Sequence, residues 1–196
     1  MLTRTSLAAA MVAGTLLLAA CDDGGQDLGT PSSETTVPSQ QQYAELLRRP
    51  TIDEAVTRYE EARKTLRTKL TDNLGLTGWV DKHDGRQSGC ANEFPGVASR
   101  DAVRTFLSFI TAPEGISSVQ WVDAKRIATE VGKAYGFTKP GLERNNPPTF
   151  EFELRDQYGA TLTLSSGTTT VISIETGCHL TTEAKGRIGA SGTTRR

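Results

Sequence analysis

The sequence has few aromatic residues and no excess of charge of either sign. Two Trp, four Tyr and six Phe occur among its 196 residues, and the formal net charge is −1. Proteins that bind nucleic acid usually concentrate basic residues on one surface, and those that bind single strands add aromatic side chains on which bases stack. The composition therefore gives no support to nucleic-acid binding.

The sequence also lacks the short motifs that mark common enzyme classes. It contains no GxSxG nucleophile elbow, no SxxK, no HExxH, no GxGxxG and no P-loop. We therefore expect no enzymatic activity and no cofactor. Glu151 and Glu153 share one face of a predicted strand and could form an acid–base pair. We interpret them instead as the solvent face opposite Phe150 and Phe152.

The N-terminus carries the clearest signal in the sequence. Arg4 precedes an almost unbroken apolar stretch from Leu7 to Ala20, which as a helix would extend about 21 Å. That length falls short of the hydrocarbon core of a bilayer, which is about 30 Å thick. A positive charge followed by a short apolar segment is typical of a signal peptide. We predict that residues 1–20 are removed.

The apolar stretch ends in Leu18-Ala19-Ala20-Cys21, which resembles the lipobox of bacterial lipoproteins at all four positions. The resemblance implies that Cys21 becomes the first residue of the mature chain and carries lipid. The lipid would anchor the protein at the outer face of the cytoplasmic membrane, because two acyl chains suffice for stable anchoring. The alternative is an ordinary secretory signal followed by an unmodified cysteine.

The composition divides the mature chain into three parts. Residues 22–38 are mostly Gly, Ser, Thr, Pro and acidic residues, and such a segment buries too little apolar surface to offset its ordering entropy. Residues 21–38 are therefore a predicted flexible, lipidated tether. We predict a single domain over residues 39–183 and a disordered basic tail over residues 184–196.

Three helices are predicted from capping signals and from apolar residues at helical spacing. The first, a short one, begins with a capping box formed by Ser39 and Gln42 and ends at Pro50. The second covers residues 51–73 and the third covers residues 117–136, each with a capping box at its start and a glycine at its end.

Strands are predicted where apolar or β-branched residues alternate with polar ones. Residues 97–111 are ambiguous, because Ser99 could cap a helix, but we favour a strand. The other predicted strands cover residues 76–82, 150–155, 161–164 and 169–175. Turns or loops are predicted for residues 83–96, 112–116 and 156–159 and for the segment that ends at Pro147-Pro148. This order predicts an α+β fold, with an antiparallel or mixed sheet covered on one face by two main helices.

The three cysteines suggest one disulfide. If lipid occupies Cys21, Cys90 and Cys178 remain as a pair in an oxidising compartment, where such pairs usually form a bond. A redox-active pair is the alternative, but it commonly needs a CxxC turn at the start of a helix. Neither cysteine lies in such a motif, so we predict a structural disulfide.

The two histidines offer the one candidate metal site that the sequence suggests. A bond between Cys90 and Cys178 could bring His83 and His179 together, and two imidazoles with nearby carboxylates can hold zinc. The available carboxylates are Asp81, Asp84 and Glu93. The spacing is not specific, so we favour solvated loop residues and predict no metal.

Three aromatic residues could line a groove for an apolar ligand. They are Trp79, Trp121 and Tyr135. Their spacing within predicted elements is more typical of core residues, and we expect them in the core.

The arrangement as a whole resembles the actinobacterial LppA-type lipoproteins, over about residues 40 to 182. The features that carry the resemblance are the lipobox, the helix segment YEEARKTLRTKL at 59–70, Trp79, Cys90, the segment EVGKAYGF at 130–137 and the segment TGCHL at 176–180. The resemblance implies a cell-envelope location, a disulfide and a helix-on-sheet domain. It implies no established activity.

The expected function is a membrane-anchored, non-enzymatic binding or interaction module of the cell envelope. The expected partners are the membrane, through lipid on Cys21, and an envelope protein or cell-wall ligand, but no nucleic acid. One alternative is a carrier of lipid or of another apolar small molecule. A second alternative is an envelope enzyme that has no recognisable motif.

Overall fold

A computed structural model describes residues 38–82 and 85–193 of the chain, with side chains to residue 190. The predicted signal peptide, Cys21 and the predicted tether up to residue 37 lie outside the described residues, as do His83 and Asp84. The described residues cluster as one compact unit. In the described ranges, no helix is long and apolar enough to cross a membrane.

Four helices are present in the described part of the chain. They are α1 (Ser39–Leu47), α2 (Ile52–Leu74), α3 (Ser118–Ala134) and α4 (Thr182–Thr193). Capping boxes begin α2 at Thr51 and α3 at Ser117, and Gly75 ends α2 with a φ of 73°, a conformation that favours glycine. The predictions for α2 and α3 are confirmed.

Nine strands in the described ranges form one antiparallel sheet. They are β1 (Val80–Asp81), β2 (Arg86–Gly89), β3 (Ala102–Phe106), β4 (Ile110–Ala112), β5 (Lys139–Asn146), β6 (Thr149–Arg155), β7 (Thr161–Ser166), β8 (Thr170–Glu175) and β9 (His179–Leu180). The main path runs β1-β4-β8-β7-β6-β5, and β3 pairs with β2, β8 and β9. The segment 97–111 contains β3 and β4, so the preference for strand over helix is confirmed.

The main core lies between the sheet and the pair α2 and α3. Alternate residues of β7 and β8, namely Leu162, Leu164, Ile172 and Ile174, are fully buried against the apolar stripes of both helices. The opposite face of β7 carries half-buried hydroxyl side chains such as Thr163. The predicted α+β fold, with helices on a sheet and one disulfide, is confirmed.

A second, smaller core surrounds the disulfide. It contains Cys90, Cys178 and Leu180 together with Leu46 of α1 and Ala184 of α4. The two short helices at the ends of the described chain therefore meet at this cluster rather than at the main core.

The prediction of a disordered C-terminal tail is wrong for the residues that the structure describes. We expected residues 184–196 to be disordered, but residues 184–193 belong to α4. Ala184 is buried, Ile188 packs against the second core, and Lys185 Nζ donates a hydrogen bond of 2.6 Å to the Arg49 carbonyl. These tertiary contacts compensate for the low helix propensity of the glycines in the segment.

Two strands were predicted as loops, and a third is shorter than predicted. β2 lies in the expected loop 83–96, and β5 lies in the expected loop before Pro147. Both strands are almost wholly exposed, so neither has the alternating apolar residues that mark a half-buried strand. Of the predicted strand 76–82, Val80 and Asp81 form β1, and the N–H of Lys82 donates to the Phe109 carbonyl.

The predicted capping box of α1 is also wrong. Pro38 is the N-cap and makes no side-chain cap bond. Ser39 Oγ donates to the carbonyl of Gly96 at 2.6 Å, and Gln42 Oε1 accepts the N–H of Gly96 at 2.9 Å. Both side chains therefore bind a distant loop instead of the end of their own helix.

Candidate functional site

A cleft of about 570 Å³ lies between the first half of α2 and the sheet. It opens to solvent and is lined by Val56, Glu60, Asp81, Lys82, Gly85, Thr105, Leu107 and Ser108. Its volume falls within the range of small-molecule sites, about 300–1,000 Å³. The residues come from α2, the end of β1, β3 and the β3–β4 connection, so only the folded chain brings them together.

Arg63 binds three of the residues that line the cleft. Its guanidinium forms ion pairs with Glu60 at 2.6 Å and with Asp81 at 3.2 Å. It also donates to the Ser108 carbonyl and, at 2.7 Å, to Ser108 Oγ. Ser108 Oγ in turn donates to Asp81 Oδ1 at 3.1 Å. Because a planar guanidinium offers donors in fixed directions, Arg63 fixes both carboxylates and the serine in place.

Thr105 lies on β3 in the opposite wall. The residue is 9% exposed, and its Oγ1 is buried without a hydrogen-bond partner in the described part of the chain. The Thr105 backbone is paired, because its N–H donates to Thr176 Oγ1 and its carbonyl accepts the N–H of Thr176. This oxygen has almost no accessible surface, so it lies behind the wall and does not face the open cleft.

Cys90 and Cys178 form the predicted disulfide, with their Cα atoms 6.0 Å apart. Cys90 is 2% exposed and Cys178 is fully buried. Arg104 donates to Cys178 Sγ at 3.3 Å and to Glu93 at 2.7 Å. A bond enclosed in this way fits a structural role, since redox-active cysteines lie in accessible, electropositive positions.

Arg49, in the turn that follows α1, makes contacts in the same region. Its guanidinium stacks 5.0 Å from the Phe94 ring centre and 5.6 Å from that of Tyr158, and it donates to the Cys178 carbonyl at 3.0 Å. An ion pair with Glu45 one turn earlier completes its contacts on α1. The buried cation therefore links α1, the Cys90 loop and the end of β8 by contacts that reinforce the disulfide.

His179 is buried rather than solvated, contrary to our preferred interpretation of the histidines. Its Nδ1 lies 2.9 Å from the Pro50 carbonyl, and its Nε2 is buried without a partner among the described residues. Burial lowers the pKa of His179 below its usual value, against the opposing effect of the Pro50 carbonyl. A neutral ring with Nδ1–H donating to Pro50 follows from this environment.

The zinc hypothesis receives no support from the described residues. They contain no group of three or more His, Cys, Asp or Glu side chains placed to hold a metal ion. Glu93 is engaged with Arg104, and Asp81 is engaged with Arg63. His83 and Asp84 lie outside the described residues.

The aromatic and acidic residues considered as candidate binding or catalytic groups lie in the core and on the outer face of the sheet, as predicted. Trp121 is buried in the main core, and Trp79 and Tyr135 pack against it. Glu151 and Glu153 lie on the sheet face opposite the helices, each within an ion pair with an arginine. The core and solvent-face interpretations are confirmed.

Asp156 is a buried residue that the sequence analysis missed. Its Oδ1 accepts the N–H groups of Tyr158 at 2.7 Å and Ala160 at 2.8 Å, and its Oδ2 accepts the Tyr59 hydroxyl. Burial and the Asp156 carboxylate raise the pKa of Tyr59 well above its usual value. An aspartate at the start of a turn was a signal for the two backbone bonds, but nothing in the sequence pointed to the bond with α2.

Comparison with known proteins identifies a family and similar solved structures. A family model, LppA, described as "Lipoprotein confined to pathogenic Mycobacterium", matches residues 27–182. The crystal structure of the lipoprotein LppA from Mycobacterium tuberculosis is similar, with a TM-score of 0.60 and 13% identity, over 75% of this chain and 89% of that chain. A DUF4853 family protein from Actinomyces odontolyticus has a TM-score of 0.47 and 13% identity, over 69% of this chain and 72% of its own. None of the curated proteins matches the sequence.

Proposed function

Because the chain belongs to the LppA family of lipoproteins, we propose that it is a membrane-anchored binding module of the cell envelope without enzymatic activity. In this proposal lipid on Cys21 anchors the chain to the outer face of the cytoplasmic membrane. The cleft between α2 and the sheet then holds a small ligand on the folded domain.

The cleft is the observation that carries the binding role. It combines a ligand-sized volume with polar side chains that α2, β1 and the β3–β4 connection bring together. Small-molecule sites typically combine apolar walls with a few convergent polar groups. Here Val56 provides apolar surface, and Glu60, Asp81 and Ser108 provide the polar groups.

Two observations support a role without catalysis. His179, the histidine that the structure describes, is buried and directs Nδ1 at a backbone carbonyl, so it is poorly placed to act as a base towards a ligand. In the cleft, Ser108 Oγ hydrogen-bonds to Arg63 and to Asp81. Among the described residues it therefore has no imidazole or lysine partner of the kind that usually activates a serine nucleophile.

Carriage of an apolar molecule is less well supported. A carrier needs apolar walls around most of its ligand, and the natural place for it would be the space between the helices and the sheet. Side chains of α2, α3 and the strands fill that space, including Trp121, Phe137 and Phe150. A second open groove, of about 510 Å³, has apolar residues such as Val80 and Val171 on its walls, but it does not enclose a ligand.

The anchor is tested by membrane fractionation of cells that produce the full chain. We expect the wild-type protein in the membrane fraction, with a mass at its N-terminal peptide that corresponds to acylated Cys21. Cys21→Ala should move the protein to the soluble extracellular or periplasmic fraction, and Ser33→Ala should leave it in the membrane. An unmodified N-terminal peptide in membrane-bound protein would contradict the proposal.

The binding role is tested by hydrogen exchange on the mature protein. Low-molecular-weight fractions of the cell envelope are added, and amide protection is compared between the cleft segments 56–60 and 105–108 and the distant strand β7. We expect at least one fraction to slow exchange in the cleft segments and to leave β7 unchanged. No change with any fraction, or an equal change in β7, would refute a ligand site at this cleft.

A further inference from the structure

The linker between α1 and α2, residues 48–51, is held by the C-terminal part of the domain. His179 Nδ1 lies 2.9 Å from the Pro50 carbonyl, and Lys185 Nζ donates to the Arg49 carbonyl at 2.6 Å. The Arg49 guanidinium donates in the other direction, to the Cys178 carbonyl at 3.0 Å. Because the two acceptor carbonyls are adjacent in the chain, a movement of the linker at Pro50 also disturbs the bond from α4.

The second ring nitrogen of His179 lies where a proton has no acceptor. The residue is fully buried, and its Nε2 has no partner among the described residues. The ring of Tyr158 packs edge-on against the imidazole, with 5.6 Å between the ring centres. A neutral ring keeps a lone pair on Nε2, whereas a protonated ring has a second donor there. A buried donor without an acceptor is unfavourable, so the closed arrangement disfavours the protonated ring.

The charges around His179 also oppose a further positive charge. Burial is the largest effect that lowers the pKa of the ring, and the cations Arg49 and Lys185 act in the same direction. The Pro50 carbonyl and the Asp156 carboxylate act against them. Asp156 already accepts three hydrogen bonds, so it offers little to a new donor on the ring.

The other charged side chains on the elements around His179 have partners of their own. The pairs are Glu45 and Glu93 with Arg49, Asp53 with Thr182, Glu54 with Thr51, Arg100 and Arg187 with Asp101, and Arg104 with Glu93 and Glu175. Each of these carboxylates would have to leave its partner to neutralise the imidazolium.

The helix next to His179 is the part of the domain that is most easily released. α4 has 12 residues, and Gly186, Gly189 and Gly192 lower its helix propensity. A helix of this length is marginal in water without tertiary contacts. Ala184, Ile188 and the bond from Lys185 supply such contacts at the second core, whereas α2 and α3 pack on the main core.

From this arrangement we infer that His179 is an acid-sensitive switch: when its ring takes up a proton, the linker and α4 separate from the second core while the main core stays folded. Separation exposes the ring, and its pKa returns to the usual 6.5. Opening therefore takes up a proton below that pH. Each pH unit then raises the open fraction by up to about tenfold, until the closed form also binds the proton. This inference does not depend on the cleft.

Amide hydrogen exchange on the full mature chain in a nonionic detergent tests the switch. Protection factors, which correct for the intrinsic effect of pH on exchange, are compared between residues 182–190 of α4 and residues 121–131 of α3. We expect α4 to be less protected than α3 at every pH, because it opens without the main core. Its protection should fall by about three- to tenfold between pH 6.5 and 5.5.

Two histidine variants identify the group that titrates. His179→Asn keeps a donor for the Pro50 carbonyl but cannot become charged, so the fall in α4 protection should disappear. His83→Asn removes the other histidine of the chain and should leave the fall as in the wild type. If His179→Asn does not fold, Lys185→Gln takes its place, since loss of a neighbouring cation should make the fall smaller than in the wild type.

Several results would overturn the switch. Equal protection of α4 and α3 would mean that the domain opens as a whole. Protection of α4 that is absent at pH 7.5, or that does not change between pH 6.5 and 5.5, would show that acid releases nothing. A fall that persists in His179→Asn, or that vanishes in His83→Asn, would assign the effect to another group. An unchanged fall in Lys185→Gln would remove the role of the neighbouring cations.

Discussion

Asp156 links the β6–β7 turn to α2, and replacing it tests how strongly that link stabilises the fold. Its carboxylate accepts three hydrogen bonds, from the N–H groups of Tyr158 and Ala160 and from the Tyr59 hydroxyl. Asp156 is 5% exposed and Tyr59 is 2% exposed. Water therefore has little access to replace these bonds when they are lost.

The expected losses differ among three variants. Asp156→Ala leaves three donors unpaired, and at about 1–3 kcal/mol for each buried group the free energy of unfolding should fall by about 4–6 kcal/mol. Asp156→Asn keeps Oδ1 for both N–H groups and can donate to the Tyr59 oxygen, so about 1–2 kcal/mol is expected. Tyr59→Phe removes one bond to a charged group, which is worth about 1.5–3 kcal/mol.

Urea unfolding at pH 7, followed by the fluorescence of the buried Trp121, measures these losses with the disulfide intact. Asp156→Ala should be the most destabilised of the three variants. Tyr59→Phe combined with Asp156→Asn should lose less than the sum of the single variants, by at least about 0.5 kcal/mol, because both changes act on one bond. A loss below about 1.5 kcal/mol for Asp156→Ala, or strict additivity in the double variant, would refute the reasoning.

Three further predictions concern stability. Changing both Cys90 and Cys178 to Ala should lower the free energy of unfolding by about 4–5 kcal/mol, because the bond joins residues separated by 88 positions; a urea midpoint equal to wild type would contradict this. Burial lowers the pKa of His179 from its usual 6.5, so stability is full above that pH and falls below it, by up to about 1.4 kcal/mol per pH unit. Between pH 7.5 and 5.5 the wild type should therefore lose more stability than His179→Asn, and equal losses would count against a neutral buried ring. Thr51→Ala should cost about 1 kcal/mol through the lost cap of α2, and the exposed Thr57→Ala serves as control; equal midpoints for the two variants would disprove the cap's contribution.

The parts of the fold that the sequence predicted are those with a local signal. Thr51 and Glu54 lie three positions apart at the start of an apolar stripe, so both the start and the buried face of α2 could be predicted. Cys90 and Cys178 are the cysteines left after Cys21, so their pairing followed from number and compartment.

The parts that were missed depend on distant contacts. β2 and β5 are exposed and carry no apolar alternation, so only their pairing with β3 and β6 makes them strands. Ser39 has the composition of a cap, but Gly96 binds its side chain 57 residues away. α4 is helical because it packs on the second core.

The cleft could not be predicted for the same reason. Arg63 and Ser108 are separated by 45 residues and meet only in the folded chain. Thr105 fits the pattern of a β-branched strand residue, and its place in the wall of the cleft depends on the packed structure. A short-range pattern contains neither fact, so sites assembled from several elements escape motif searches.

β5 ends the main path of the sheet, with Lys139, Pro140 and a register shift before Glu143 along its outer border. A proline lacks the N–H that a joining strand would bind, and charges and irregular register hinder fusion of two sheets. If lipid confines many copies to one membrane plane, collisions between neighbours become frequent. The uneven border then hinders pairing of neighbouring copies through this edge of the sheet.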